Sequence, residues 1–175
     1  MGVRSLSYLH KPSSMKTFFA TALFLLYFIQ VSAQSNETYS SSTYNRAIGI
    51  KFPGGFAVTY KQFVKESQNI EAEAMFWNQG FRTVGLYEFN WNIPDIEGLR
   101  WYTGGGAHLG FWNNNYSKRS NNSNAGFGID GIIGLDYKIN TLPVNISLDW
   151  QPAIDLIGST GFNSAYGGIG VRYTF

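Results

Sequence analysis

Cysteine is absent from this chain. That excludes a disulfide framework, a thiolate zinc site and a thiol nucleophile. It also excludes a lipid anchor attached to a cysteine behind a signal segment. Charge is sparse: only 14% of residues are Asp, Glu, Lys or Arg, against 17% aromatic residues and 20 glycines. That balance suits short strands joined by tight turns better than it suits helices. No apolar run reaches the roughly twenty residues that a membrane helix needs.

The longest apolar run covers residues 18–29, preceded by Lys16 and followed by Val31-Ser32-Ala33. A basic residue, a short greasy stretch and a small-x-small tripeptide make a secretory signal. Cleavage is expected after Ala33, with Met15 the natural start and residues 1–14 an N-terminal extension. Removing residues 1–33 takes away Arg4, Lys11 and Lys16 and no acid, so the formal charge moves from +2 to −1. The basicity is therefore that of a targeting segment, and no basic face for nucleic acid remains. Residues 34–43 are polar throughout and read as a disordered linker.

From residue 44 onward the pattern has period two. Eight alternating segments are expected near 44–52, 55–64, 69–78, 81–93, 99–112, 125–139, 144–157 and 164–175. Gly, Pro, Asn and Asp cluster between them. In the sixth, Phe127, Ile129, Ile133, Leu135, Tyr137 and Ile139 share a face against Gly126, Gly128, Asp130, Gly134, Asp136 and Lys138. Pro152 inside the seventh removes a ladder donor and predicts a bulge. The expected fold is all-β: a closed, antiparallel, eight-stranded up-and-down barrel over 44–175.

Alternation alone does not say which face is inside. A soluble, lipocalin-like barrel would bury the apolar face around a ligand, and a membrane barrel would turn it outward. Volume favours the second, because eight strands enclose little more than their own inward side chains. The charges of the other face nearly balance. Lys51, Lys61, Arg82, Arg100, Lys138 and Arg172 stand against Glu71, Glu73, Glu88, Asp130, Asp136, Asp149 and Asp155. A confined lumen requires such pairing, since an unpaired buried charge is costly. A cross-lumen network is expected, with Glu71 and Glu73 meeting Arg82 or Arg100. Aromatic residues gather near strand ends. One expected rim holds Tyr44, Trp91, Trp101, Tyr137, Tyr173 and Phe175. The other holds Phe52, Phe56, Phe76, Phe81, Phe111 and Phe127, the two flanking a belt of aliphatic and small residues as interfaces flank a bilayer. Tyr87 falls inside the belt and breaks that pattern.

The signal over 15–33, the eight strands and the terminal Gly167-Gly168-Ile169-Gly170-Val171-Arg172-Tyr173-Thr174-Phe175 together resemble the small outer-membrane barrels, the eight-stranded class of outer-membrane proteins A and X. The resemblance implies a transmembrane barrel in the cell outer membrane, monomeric, in contact with outer-membrane lipids and lipopolysaccharide. It implies that Val171, Tyr173 and Phe175 form the signal read by the barrel-assembly machinery. It places both termini and the turns 65–69, 94–98 and 140–143 in the periplasm, and the loop 113–124 outside, where Lys118 and Arg119 could meet lipopolysaccharide phosphates. The function implied is non-enzymatic: envelope integrity, surface interaction or limited passage of small solutes.

Catalytic signals are weak. His108 is the one histidine after residue 33, and it falls on the charged face beside Gly106 and Gly110. It reads as a packed lumen residue; with Asp130 or Asp149 it could act as a base, but no nucleophile stands at a recognisable spacing. No cofactor or metal site is expected, because no His/Asp cluster has ligand spacing. The alternatives are a lipid-modifying membrane enzyme using His108 and an exported soluble ligand-binding barrel.

Overall fold

A computed structural model describes residues 44–78, 80–113, 124–158, 160–164 and 166–175. The expected signal segment, the expected linker over 34–43 and the basic pair Lys118-Arg119 lie outside the described residues.

The strands are β1 (Arg46–Phe52), β2 (Phe56–Lys65), β3 (Gln68–Trp77), β4 (Gly80–Asn92), β5 (Leu99–Trp112), β6 (Ala125–Ile139), β7 (Val144–Trp150), β8 (Ala153–Ile157), β9 (Gly161–Asn163) and β10 (Gly168–Thr174). Every pairing is antiparallel. Neighbours in sequence pair from β1 to β6; β6 then pairs with both β7 and β8, β7 with β10, and β10 with β1. The result is a closed eight-stranded antiparallel barrel in which the seventh and eighth strands each come in two pieces. Closure is sealed by reciprocal backbone bonds between Arg46 and Phe175, both 2.9 Å.

The break in the seventh strand falls at Gln151-Pro152, where the sequence asked for a bulge, since Pro152 has no N–H to give the ladder. The Pro152 carbonyl still accepts from the Gly131 N–H at 2.8 Å. Opposite this interruption the eighth strand also lapses, between Asn163 and Gly168. The eighth strand thus begins at Gly161 rather than near 164, its first piece paired with β8 in a short hairpin.

The two faces separate cleanly. Ile133, Leu148 and Ile169 are 48%, 57% and 55% exposed, whereas Lys51, Lys61, Glu88 and Asp136 are wholly buried. The apolar face therefore points outward and the ionisable face points into the lumen. The larger of two buried apolar clusters is Ala57, Met75, Val84, Leu86, Tyr102 and Ile132, with Trp77 and Tyr166 packed on it. These are inward by the same parity that buries the charges, and they fill the volume between charged layers.

Candidate functional site

Among the described residues, ionisable side chains converge in the lumen. We call its two ends the terminal end, where Arg46 and Phe175 lie, and the loop end, where β2 begins and β5 finishes. Period-two geometry lets each inward strand position supply one side chain, so neighbouring strands stack charges at matched heights. Lys61 on β2 sits directly opposite Glu71 on β3, and Gly49 on β1 opposite Arg172 on β10.

Toward the terminal end, Lys61 Nζ lies 3.0 Å from Glu71, 2.9 Å from Glu88 and 3.8 Å from Asp136, and 4.2 Å from the centre of the Tyr102 ring. Those ion pairs are Coulombic rather than directional, because the ammonium and the facing carboxylate oxygens are off hydrogen-bonding geometry. Arg172 crosses the lumen. Its Nε donates to Thr59 at 2.9 Å, its Nη1 to Ser147 at 2.7 Å, and its Nη2 to Glu71. Lys51 crosses as well, 2.8 Å from Glu73, 2.7 Å from Asp149 and 3.1 Å from Gln151. Tyr102 closes the same layer by donating to Asp149 at 2.9 Å. At the loop end, Arg82 bonds Asp130, and His108 lies 2.6 Å from Asp130 and 2.8 Å from Asp155.

This arrangement corrects the expected partners. Glu71 takes Lys61 and Arg172, and Glu73 takes Lys51; neither meets Arg82 or Arg100. Arg82 instead serves Asp130, and Arg100 approaches Asp136 at 3.5 Å. The reason is shear. Strands in a barrel are staggered, so residues level with each other across the lumen are far from level along the sequence pattern. His108 does meet Asp130, one of its two expected acids, and its second partner is Asp155 rather than Asp149 for the same reason. Lys138 is turned to the terminal end, donating to the carbonyls of Ile139 and Leu142 at 2.8 and 2.7 Å.

Tyr44 is a second correction. It was placed on the outer aromatic rim, but it is buried, stacks edge-on against Phe63 at 5.3 Å and donates to Asp136 at 3.0 Å. It precedes β1, so strand parity does not govern it. Burial, with the Asp136 carboxylate beside it, holds its phenol well above the ordinary tyrosine range, and it remains a donor. With Phe63 it covers the terminal end, where the Arg100 guanidinium lies 5.1 Å from the Tyr44 ring and 4.8 Å from Phe63.

The remaining rim residues face outward. Phe52, Phe56, Phe76, Phe81 and Phe111 run side by side around the loop end, their successive ring centres 5.0–6.4 Å apart; Phe127 is exposed beyond them. At the terminal end, Trp91 stacks on Trp101 at 4.3 Å, Tyr173 on Phe175 at 6.2 Å, and Tyr137 is exposed. Val171 is exposed on the same outer face of β10. Tyr87, the exception in the belt, ties its hydroxyl to Gln68 at 2.6 Å. A belt hydroxyl with a neighbouring acceptor is far less costly than a bare one.

Strand parity puts Asn145, Ser147 and Gln151 on the inward face of the seventh strand but gives them no partners; they are buried spacers that bond Asp136, Arg172 and Lys51. Asn69 and Asn90 are buried with no hydrogen bond to either amide atom. The Met75-Val84-Leu86-Ile132 plug was hidden because it breaks the rule that inward means polar. Among the described residues, no three His, Asp or Glu side chains are placed to hold a metal ion. Chemically, a lumen filled this way can brace a barrel and block it. The His108 ring nitrogens are engaged, Nδ1 by Asp130 and the Arg82 guanidinium and Nε2 by Asp155. No family model and no curated protein sequence matches this chain.

Proposed function

We propose that the chain is an integral outer-membrane barrel, non-enzymatic, that braces the envelope or presents a surface rather than passing solutes. The observation that carries this reading is the allocation of faces. Contiguous apolar surface rimmed by aromatics marks a membrane or partner contact, and here it wraps the barrel while acids and bases occupy the axis. A soluble ligand-binding barrel asks for the reverse, with apolar side chains lining a cavity. Among the described residues no helix is long and apolar enough to cross a bilayer. The Arg172–Glu71 and Lys51–Asp149 pairs span the lumen and argue against free passage. In this reading the partners are outer-membrane lipids and lipopolysaccharide, and Val171, Tyr173 and Phe175 are the strand-end contacts for the assembly machinery.

Cell fractionation tests the location. The protein should pellet with outer membranes, resist carbonate extraction, and show heat-modifiable gel mobility in detergent. Recovery as a detergent-independent monomer in the soluble periplasmic fraction would favour the ligand-binding alternative. Planar-bilayer recording tests the blocked lumen: the expected trace is silent, and steady conductance refutes it.

A further inference from the structure

Among the described residues, Asn69, Glu88, Asn90 and Arg100 hold most of the buried side-chain nitrogen and oxygen atoms that make no hydrogen bond. All four lie toward the terminal end, on β3, β4 and β5. Asn69 pairs with Glu88 across β3 and β4. Asn90 is the next inward position on β4 and pairs with Tyr102, and Arg100 is the next inward position on β5. Phe63 joins the two sides of this set: it pairs with Asn69, and its ring lies 4.8 Å from the Arg100 guanidinium.

The neighbouring acids have partners of their own. Glu88 has Lys61 at 2.9 Å. Asp136 accepts from Tyr44 at 3.0 Å and from Asn145 at 2.7 Å. Arg100 is different. It is 3% exposed, and none of its three guanidinium nitrogens makes a hydrogen bond; Asp136 stands 3.5 Å from Nη2. The Tyr44 and Phe63 ring faces attract its charge, but they bring no oxygen to its N–H groups. Burying a guanidinium and two amides in this state costs stability. The lumen shows the cheaper solution nearer the loop end, where Met75, Val84, Leu86 and Ile132 fill inward positions with apolar volume. Costly polar groups kept together point to binding rather than to packing.

Their chemistry selects the ligand class. Guanidinium and amide N–H groups are planar donors, and they suit the planar oxygen pair of a carboxylate. One negative charge also matches one guanidinium that no carboxylate bonds. We propose that Arg100, Asn90 and Asn69 form a binding site for a small carboxylate at the terminal end of the lumen. Entry is from that end, where Tyr44, ahead of β1, and Phe63 are the cover. Arg100 also lines a cavity of about 460 Å³ at the β4–β5 turn. Asp95 and Glu97 line that cavity too; both are exposed, so solvent ions screen them.

Formate, the smallest carboxylate, is the probe. The folded barrel in detergent micelles is titrated with sodium formate, sodium chloride holding the ionic strength constant, and the denaturation midpoint is followed by gel mobility. A ligand that binds only the folded state stabilises it by mass action. The midpoint should rise, and beyond half-saturation each tenfold of formate should raise the folding equilibrium about tenfold. Formamide, similar in shape but neutral, should give no rise. Asn90→Leu removes a donor amide while filling its space; it should keep the fold and lose most of the rise. In nitrogen NMR, the Arg100 Nε–H signal, assigned with Arg100→Lys, should move with formate in the wild type. No rise in the wild type, an equal rise with formamide, an undiminished rise in Asn90→Leu or an unmoved Arg100 signal overturns the proposal. Each of those results leaves the reading of the outer face standing, because the site belongs to the barrel interior.

Discussion

Arg172→Met removes the cation at the centre of the lumen while keeping a long, flexible side chain. The guanidinium is fully buried and bonds Thr59, Ser147 and Glu71, with Asn145 at 3.5 Å. Its loss leaves four polar groups short of a donor and Glu71 with Lys61 as its remaining ion-pair partner. Removing one partner of a buried pair costs about 3–5 kcal/mol, because the other charge stays buried. At about 1.4 kcal/mol per decade, that lowers the folding equilibrium by roughly two to four decades. Denaturant titration of refolding into lipid vesicles, followed by tryptophan fluorescence and by gel mobility, measures it. Adding Glu71→Leu removes the stranded carboxylate, so the double variant should be more stable than Arg172→Met alone. A loss below about 1 kcal/mol in the single variant, the scale of an exposed ion pair, would refute the buried-network account. So would simple additivity in the pair.

Leu148→Arg puts a charge on the outward face, at a position more than half exposed. In a membrane barrel it should cost up to about 2–4 kcal/mol of insertion free energy, according to its depth, measured by vesicle refolding; a soluble barrel should scarcely register it. Asn90→Leu replaces a buried amide whose two polar atoms have no partner. Relief of that desolvation penalty, about 1–3 kcal/mol, should leave the denaturation midpoint unchanged or raised, whereas a clear drop would mean the amide has a partner in solution. Gly128→Ala drives a methyl group into the His108 ring and the Ile154 carbonyl, and should lower the thermal midpoint while leaving the outward face intact.

Much of this fold was written in period two. β5 and β6 begin and end where their alternation does, because Pro94, Gly98, Asn113 and Asn124 punctuate them. Parity also placed the inward charges, since a one-residue slip would expose every one of them. What parity could not supply was height. Barrel stagger decides that Glu71 meets Arg172 rather than Arg100, and stagger depends on the closing register of β1 against β10, a contact between the two ends of the barrel sequence. Tyr44 was misplaced because it precedes the first strand and answers to a carboxylate, Asp136, that is distant in sequence. The interior plug of Met75, Val84, Leu86 and Ile132 was missed for a different reason. Charged layers leave gaps that only apolar groups of the right volume fill without adding unpaired polar atoms.

The central claim is that lipid meets the apolar face and the charges close upon the axis. Because the chain has no cysteine, a single one introduced along β6 is the only label site. A fluorophore at residues 129, 131, 133 and 135, compared with 130, 132, 134 and 136, in vesicles carrying a quencher on the acyl chains, tests it directly. The expected result is strong quenching at the odd positions and little at the even ones. Quenching at the even positions, or at neither set, would contradict the account.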